Sequence, residues 1–319
     1  RKGLGDNVNI HYSDARSPIG RIVELFSKTI RSDAVCFCSA SRLNVVGILL
    51  ARMLKKPVFY IMHGYSTFEA QFKVDELGEK SVQRKRRRDR YILRNVDRVF
   101  CVSKKFMKFM RMSEPEYRHK FDYCYNGIAF DEITKIIQEN KGKRSPNRVI
   151  SFGGGMRQKN NLAVCKAINM LNSERGYDLT YVVVGQPFPD KDEICSFDFV
   201  TYYDKVPYRD GIRLLSESFI YVQNSDFETF GLAIVEALLS GCNLLISANA
   251  GVTDLMSTIQ STDLIFNTRD INEIALKIER LITEPNVERL QKGFDRRSIE
   301  YSFTANTLLE KISEYMGGN

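Results

Sequence analysis

Two parallel α/β sheets, each covered by helices, are the fold that this sequence predicts. Three observations carry the prediction. Short apolar strands alternate with amphipathic helices, a pattern that implies parallel strands joined by crossover helices. The alternation stops at one linker-like stretch and then restarts. The chain has 319 residues, roughly two domains by length. Hydrophobic residues make up 43% and charged residues 27%, ordinary for a soluble globular chain. This excludes wholesale disorder, a collagen-like repeat and a small disulfide scaffold. Apolar runs such as Val45–Ala51 fall far short of the ~20 residues a membrane helix needs. The opening residues lack the basic, apolar and small-residue order of a secretory leader.

In chain order, Asp33–Ser39 reads as a buried strand, Leu43–Leu54 as a helix and Pro57–Met62 as a second strand. Residues 80–95 form a long, very basic helical stretch. Asp97–Val102 is a strand, and Ser103 is placed to cap the helix after it. Phe121–Tyr125 is a further strand, ended by Asn126-Gly127. Residues 140–148, NKGKRSPNR, mix Gly, Pro, Ser and charge without periodicity and read as the linker. Beyond it come a strand at Arg148–Phe152, a turn at Gly153–Gly155 and a helix at Asn160–Asn172. Then follow strands at Leu179–Gly185 and Phe219–Gln223, a helix at Gly231–Leu239 and a strand at Asn243–Ala248. The expected organisation is two Rossmann-like domains facing across a cleft, residues 1–143 and 144–300, with ligands at the carboxyl ends of the strands. The last helical stretch, 301–319, is expected to cross back to the first domain.

Charge divides along the same line. The net charge is +8 overall, yet residues 1–143 hold 29 Lys/Arg against 16 Asp/Glu, and the remainder 18 against 23. A basic first half fits an anionic partner such as a lipid head group or a phosphorylated acceptor. Its densest run is Arg84, Lys85, Arg86, Arg87 and Arg88. That run reads either as a solvated helix face or as a surface for anionic lipid. The nearby KKFMKFMRM, with Phe106, Met107, Phe109 and Met110, suits either an interfacial helix or core packing. No nucleic-acid module is recognisable, so nucleic acid is not an expected partner. Seven Cys and three His show no zinc-site spacing. The Cys are expected to be reduced and buried, Cys36 and Cys38 on one core-facing side of a strand.

The segment Ser225–Gly241, SDFETFGLAIVEALLSG, carries the most chemistry. Glu228 lies in the loop after a strand, Gly231 opens a helix and Glu236 follows about two turns later. Unpaired amides around Phe230, Gly231 and Leu232, with the helix dipole, favour a phosphate there. A carboxylate at Glu236 can accept two hydroxyl hydrogen bonds, as a ribose diol offers, and Glu228 can reach a second polyol group.

This segment resembles the E-x7-E signature of retaining glycosyltransferases of family 4, which have the GT-B fold. Further stretches agree in order over roughly residues 55–270: VFYIMHG, RRDRYILRNVDRVFCVS, YNGI and VISFGGGMRQKNN. The resemblance implies transfer of a sugar from a nucleotide-diphosphate sugar, with uridine the default base, and retained configuration at the transferred carbon. It implies that Glu236 holds the donor ribose and Glu228 the transferred sugar. Lys159 would neutralise the departing diphosphate, and His63 would lie near the reacting sugar. The implied chemistry needs no metal and no cofactor beyond the donor. The acceptor would be a glycan or a lipid-linked molecule of cell-surface polysaccharide or glycolipid assembly, at the cytoplasmic face of the membrane. Two departures stand out. The family's Arg, five residues before the phosphate-binding Lys, is Gly154 here, with Arg157 as the substitute. The first strand and Gly-rich loop are either Val8–Tyr12 with Ser17–Gly20 or lie ahead of Arg1. Two other readings remain open: a non-catalytic GT-B partner subunit, and a GT-B nucleotide-sugar epimerase.

Overall fold

The computed structural model describes residues 17–73, 78–139 and 144–318. The strand expected at Val8–Tyr12 lies outside them. The chain divides into two compact units. The first runs to Ile128 and takes up residues 298–319, while the second is Ala129–Arg297. The break therefore falls ahead of residue 143, because the helix Phe130–Glu139 packs on helices of the second unit. The residues 145–148 assigned to the linker are instead the start of a strand. The amide of Ser145 donates to the Glu217 carbonyl at 2.9 Å, and Arg148 pairs in register with Thr180.

The first unit holds β1 (Val35–Phe37), β2 (Val58–Met62), β3 (Arg98–Cys101) and β4 (Phe121–Tyr123), all parallel in that order. Serine caps start three of its helices, since a hydroxyl satisfies an amide that the first turn leaves unpaired. Ser103 accepts from the Phe106 amide at 3.0 Å, as expected, and Ser41 from the Asn44 amide at 3.1 Å. Ser17 caps the helix Pro18–Ile30, so Ser17–Gly20 is a helix start rather than a Gly-rich loop. Phe106 and Met110 are buried, and Phe109 meets the Phe68 ring at 5.0 Å. That apolar face therefore belongs to the core. Cys36 and Cys38 are exposed, against expectation, because β1 is an edge strand among the described residues. Cys195 is exposed as well, whereas Cys101, Cys124, Cys165 and Cys242 are buried.

The C-terminal helix Tyr301–Gly317 completes this unit. It enters through paired bonds between Ile128 and residues 299 and 301. Leu308, Ile312 and Tyr315 recur at helical spacing and pack on Phe59, Phe100 and Cys124. Tyr315 meets Phe59 edge-on at 5.5 Å, and Lys311 donates to Asp122 and to the Tyr123 carbonyl.

The second unit holds β5 (Ser145–Phe152), β6 (Thr180–Val184), β7 (Val200–Tyr203), β8 (Ser218–Gln223), β9 (Asn243–Ser247) and β10 (Leu264–Ile265). The spatial order is β10-β9-β8-β5-β6-β7, parallel throughout. Numbered from β5, this is the 3-2-1-4-5-6 order of the doubly wound fold. Its central strands β6, β8 and β9 and the second half of β5 are buried, mostly apolar runs, as a sheet covered on both faces requires, while the edge strand β7 is partly exposed. Val149, Tyr181, Val183, Ile220, Val222 and Leu245 pack on Ile168, Leu171, Ile274 and Ile278 from two flanking helices.

Tyr315→Ala removes the edge contact on Phe59 and is expected to lower the stability of the first unit by about 1–3 kcal/mol. Urea unfolding followed by hydrogen exchange checks this: amides of β2 and β3 should lose protection while those of β5 and β6 keep theirs.

Candidate functional site

The strand order reverses between β5 and β8, and the loops that leave their carboxyl ends part there, forming a crevice in which a ligand can bind. Every group placed in it below belongs to the second unit. After β5 the chain turns sharply through Gly153–Gly155. The amides of Gly153 and Gly154 both donate to the Val184 carbonyl, and that of Gly155 to the Tyr202 hydroxyl at 2.8 Å. Gly154 has φ +58°, and a Cβ there would stand 2.4 Å from the Gln186 carbonyl oxygen and 2.6 Å from the Tyr202 hydroxyl. The place where the resemblance leads one to expect Arg is thus filled by backbone from the β6 loop. Because its amide is committed, Gly154 serves the site by its shape alone.

A short 3-10 turn, Arg157–Lys159, follows. Lys159 reaches across to the loop after β8, where its ammonium pairs with Glu228 at 2.7 Å. Both side chains are largely buried, so the pair is held more firmly than a surface ion pair. Arg157 points elsewhere: it is half exposed, with Nε 3.9 Å from Asp190. The two loops are tied by three further bonds. The Asp226 amide donates to the Gln158 carbonyl at 2.9 Å, and Asn160 and Asn224 each donate a side-chain amide to the other's carbonyl.

Beyond Glu228 the chain enters the helix Leu232–Leu239 through Gly231, whose φ of +102° favours glycine. The Phe230 side chain is in the core and its carbonyl accepts from Val252, so only its backbone borders the crevice. The Gly231 carbonyl takes the amides of Ile234 and Val235. The amides of Leu232 and Ala233 therefore open the helix, where the dipole favours an anion. Glu236 lies on the same helix and lines a cleft of about 290 Å³ with Phe152, Val184, Pro207, Tyr208 and Ile212. Burial raises the Glu236 pKa above the ordinary 4.5, and a hydrogen bond from Tyr208 partly offsets this.

Tyr208 and Gln223 escaped the sequence reading. Tyr208 carries no local signal; it follows Pro207 at a helix start. Gln223 had one, a primary amide at the end of an apolar strand.

In the first unit, His63 follows the end of β2. Burial lowers its pKa, and a hydrogen bond with Asn126 acts the other way. The imidazole is therefore neutral at pH 7. The basic run lies on the helix Glu79–Asn95 and divides in two. Arg84, Arg86 and Arg87 are exposed, and Arg86, Arg87, Gln83 and Arg90 line an open groove of about 370 Å³. Lys85 and Arg88 are half-buried. Arg88 donates to Ser66, next to a buried Asp89 that accepts twice from Thr67 at 2.8 Å. No helix among the described residues is long and apolar enough to cross a membrane.

These features define a two-domain α/β protein of the GT-B class, and solved structures match it. Anabaena Alr3699/HepE in complex with UDP-glucose superposes with a TM-score of 0.66 at 14% identity, over 93% of this chain and 84% of that one. Sucrose-phosphate synthase of Thermosynechococcus elongatus gives 0.64 at 15% identity, over 100% and 88%. A UDP-forming α,α-trehalose-phosphate synthase of Burkholderia xenovorans, in complex with glucose-6-phosphate, gives 0.65 at 11% identity, over 95% and 79%. No curated protein matches by sequence. Residues 132–298, just over half of the chain, match the family described as Glycosyl transferases group 1, and the chain belongs to that family.

Two predictions test the geometry. Gly154→Arg places a side chain inside the β6 loop and is expected to cost about 2–4 kcal/mol, read as a lower melting temperature without any gain in nucleotide affinity. Glu236→Gln is expected to raise the melting temperature at pH 7–8 by a few degrees. The raised folded-state pKa means that wild type is disfavoured as pH climbs above 4.5 and Glu236 ionises, so the difference should vanish below that value.

Proposed function

We propose that this protein is a retaining glycosyltransferase that moves a sugar from a nucleotide-diphosphate sugar, a UDP-sugar by default, to a glycan or lipid-linked acceptor. One observation carries the reading: the largely buried Lys159–Glu228 pair stands at the strand-order reversal, beside a helix start. It sets one cation and one carboxylate beside the amides that open the helix. UDP-glucose in the HepE complex supports the choice of donor.

In this reading the nucleoside enters the Phe152–Tyr208 cleft and its ribose diol donates two hydrogen bonds to the Glu236 carboxylate. Those bonds offset the burial that the carboxylate suffers in the free protein. The diphosphate lies against Lys159 and the amides of Leu232 and Ala233. As the bond to the sugar breaks, negative charge builds on the leaving phosphate, where a fixed cation and aligned amides stabilise it. Glu228 accepts hydrogen bonds from the transferred sugar, and His63 is assigned to the reacting sugar by resemblance. The acceptor attacks from the face that the phosphate leaves, and its proton passes to the departing phosphate. Retention follows from that geometry, and no metal is assigned. An anionic, lipid-linked acceptor is proposed for Arg84, Lys85, Arg86, Arg87 and Arg88, the last of which also holds Ser66.

A non-catalytic partner subunit is the second reading. It is favoured by the direction of Arg157, which leaves Lys159 as the cation that the turn brings to Glu228.

Thermal shift against nucleoside diphosphates and their sugars decides between the two. A bound ligand at about 100 times its dissociation constant stabilises by about 2.7 kcal/mol. A shift confined to one base and lost in Glu236→Ala is expected for the enzyme; no shift with any donor at millimolar concentration sinks it. Glu236→Ala should weaken donor binding about ten- to a hundredfold. Lys159→Ala should lower kcat about a hundredfold or more while changing donor affinity less. Steady-state kinetics with the donor identified by the shift would show it.

A further inference from the structure

We propose that Gln223 is a positioning residue: its side-chain amide holds the Glu228 carboxylate in place when Lys159 leaves it for the donor diphosphate. The inference rests on the assignment of Lys159 to the diphosphate.

Gln223 is 4% exposed and ends β8, after the apolar run Phe219–Val222. A buried primary amide is costly unless its hydrogen bonds are made, and here both ends are engaged. Its oxygen accepts from the Tyr221 hydroxyl. Its nitrogen donates to Ser225 Oγ at 2.7 Å and to Glu228 Oε2 at 3.1 Å. The orientation of the amide is set from behind. Tyr221 is fully buried, and burial together with the Glu228 charge pushes its phenol pKa up, so it remains a proton donor. A donor on that side requires the amide oxygen there and turns the NH₂ towards the carboxylate.

Lys159 and Gln223 meet on the same oxygen of Glu228. In the free protein the cation dominates. When Lys159 turns to a phosphate, a largely buried carboxylate loses its counter-charge. Gln223 cannot follow, because its amide is clamped by Tyr221 and Ser225 and it has no charge to be drawn to the diphosphate. It therefore keeps Glu228 aimed at the sugar during the exchange. An aliphatic residue at 223 would fill the strand equally well but would leave the carboxylate to swing after the ammonium.

The test uses Gln223→Leu, with Tyr221→Phe as a second variant that removes the clamp and keeps the amide. UDP lacks the sugar that Glu228 would hold. The expected result is a UDP dissociation constant within about twofold of wild type. With the sugar donor, kcat should fall about tenfold or more in Gln223→Leu and less in Tyr221→Phe. Turnover of Gln223→Leu within twofold of wild type would overturn the proposal. So would UDP affinity and kcat falling in equal proportion, which a merely distorted strand end would produce. A stability cycle runs alongside. Gln223→Leu should lower the melting temperature more in the Lys159→Ala background than in wild type, because there Gln223 is the remaining donor to that Glu228 oxygen among the described residues; equal losses would overturn the proposal. If wild type binds no nucleoside diphosphate, the glycosyl-transfer reading fails, and the cycle alone decides the role of Gln223.

Discussion

The arrangement of the second unit depends on one constraint: parallel strands β5 and β8 lie side by side, and the chain leaves them in opposite directions. Helices cannot cover the gap between the two departing loops without leaving a crevice. Lys159, Glu228 and Glu236 come from those loops and from the helix after the second, and the helix start at Tyr208 closes the cleft beside Glu236. The loops are kept at fixed separation by backbone and amide bonds, from Asp226 to Gln158 and between Asn160 and Asn224. Only then can a flexible lysine stem meet a glutamate 69 residues away at 2.7 Å.

The same constraint explains the Gly-rich turn. The chain after β5 must reverse within a few residues and pass close to the end of β6. Two of its amides satisfy the Val184 carbonyl, and Gly154 allows an approach that no side chain would permit. A steric demand of the fold therefore decides the loss of an arginine that the resemblance leads one to expect. The turn then supplies Lys159, while Arg157 is drawn towards Asp190.

The buried polar groups divide by task. Asp89 with Thr67, and Asn286 with Asn243 and Asp263, are satisfied by neighbours, and they hold loops and helices in place. Glu236 is different. Burial raises the pKa of Asp89 and Glu236 alike, but the Glu236 carboxylate is half-covered and faces a cleft. A group kept in an unfavourable setting, beside space for a ligand, stands to gain when hydroxyl donors arrive. Perturbed carboxylates in clefts are functional candidates for that physical reason.

The sequence by itself determined the class of architecture and the types of residue at the site. Continuous apolar strands, the Ser103 cap and glycine turns are local signals, so β2, β6 and β9 and the helix starts at Arg42, Lys104, Asn161 and Leu232 were legible within a few residues, whereas the helix that Ser17 caps was not. Glu228 and Glu236 were singled out by their place around a helix start, and Lys159 by the resemblance. The tertiary structure alone decided which of them meet. Pairing across β5 and β8 depends on strand order, and hydrophobic periodicity does not encode order. It also decided that residues 145–148 join a strand, that Phe130–Glu139 packs with the second unit, and that Cys36 and Cys38 are exposed. Each of these follows from a neighbour far away in the chain. The roles of Tyr208 and Gln223 belong with them, since an amide or a phenol gains meaning only from the carboxylate that the fold brings to it.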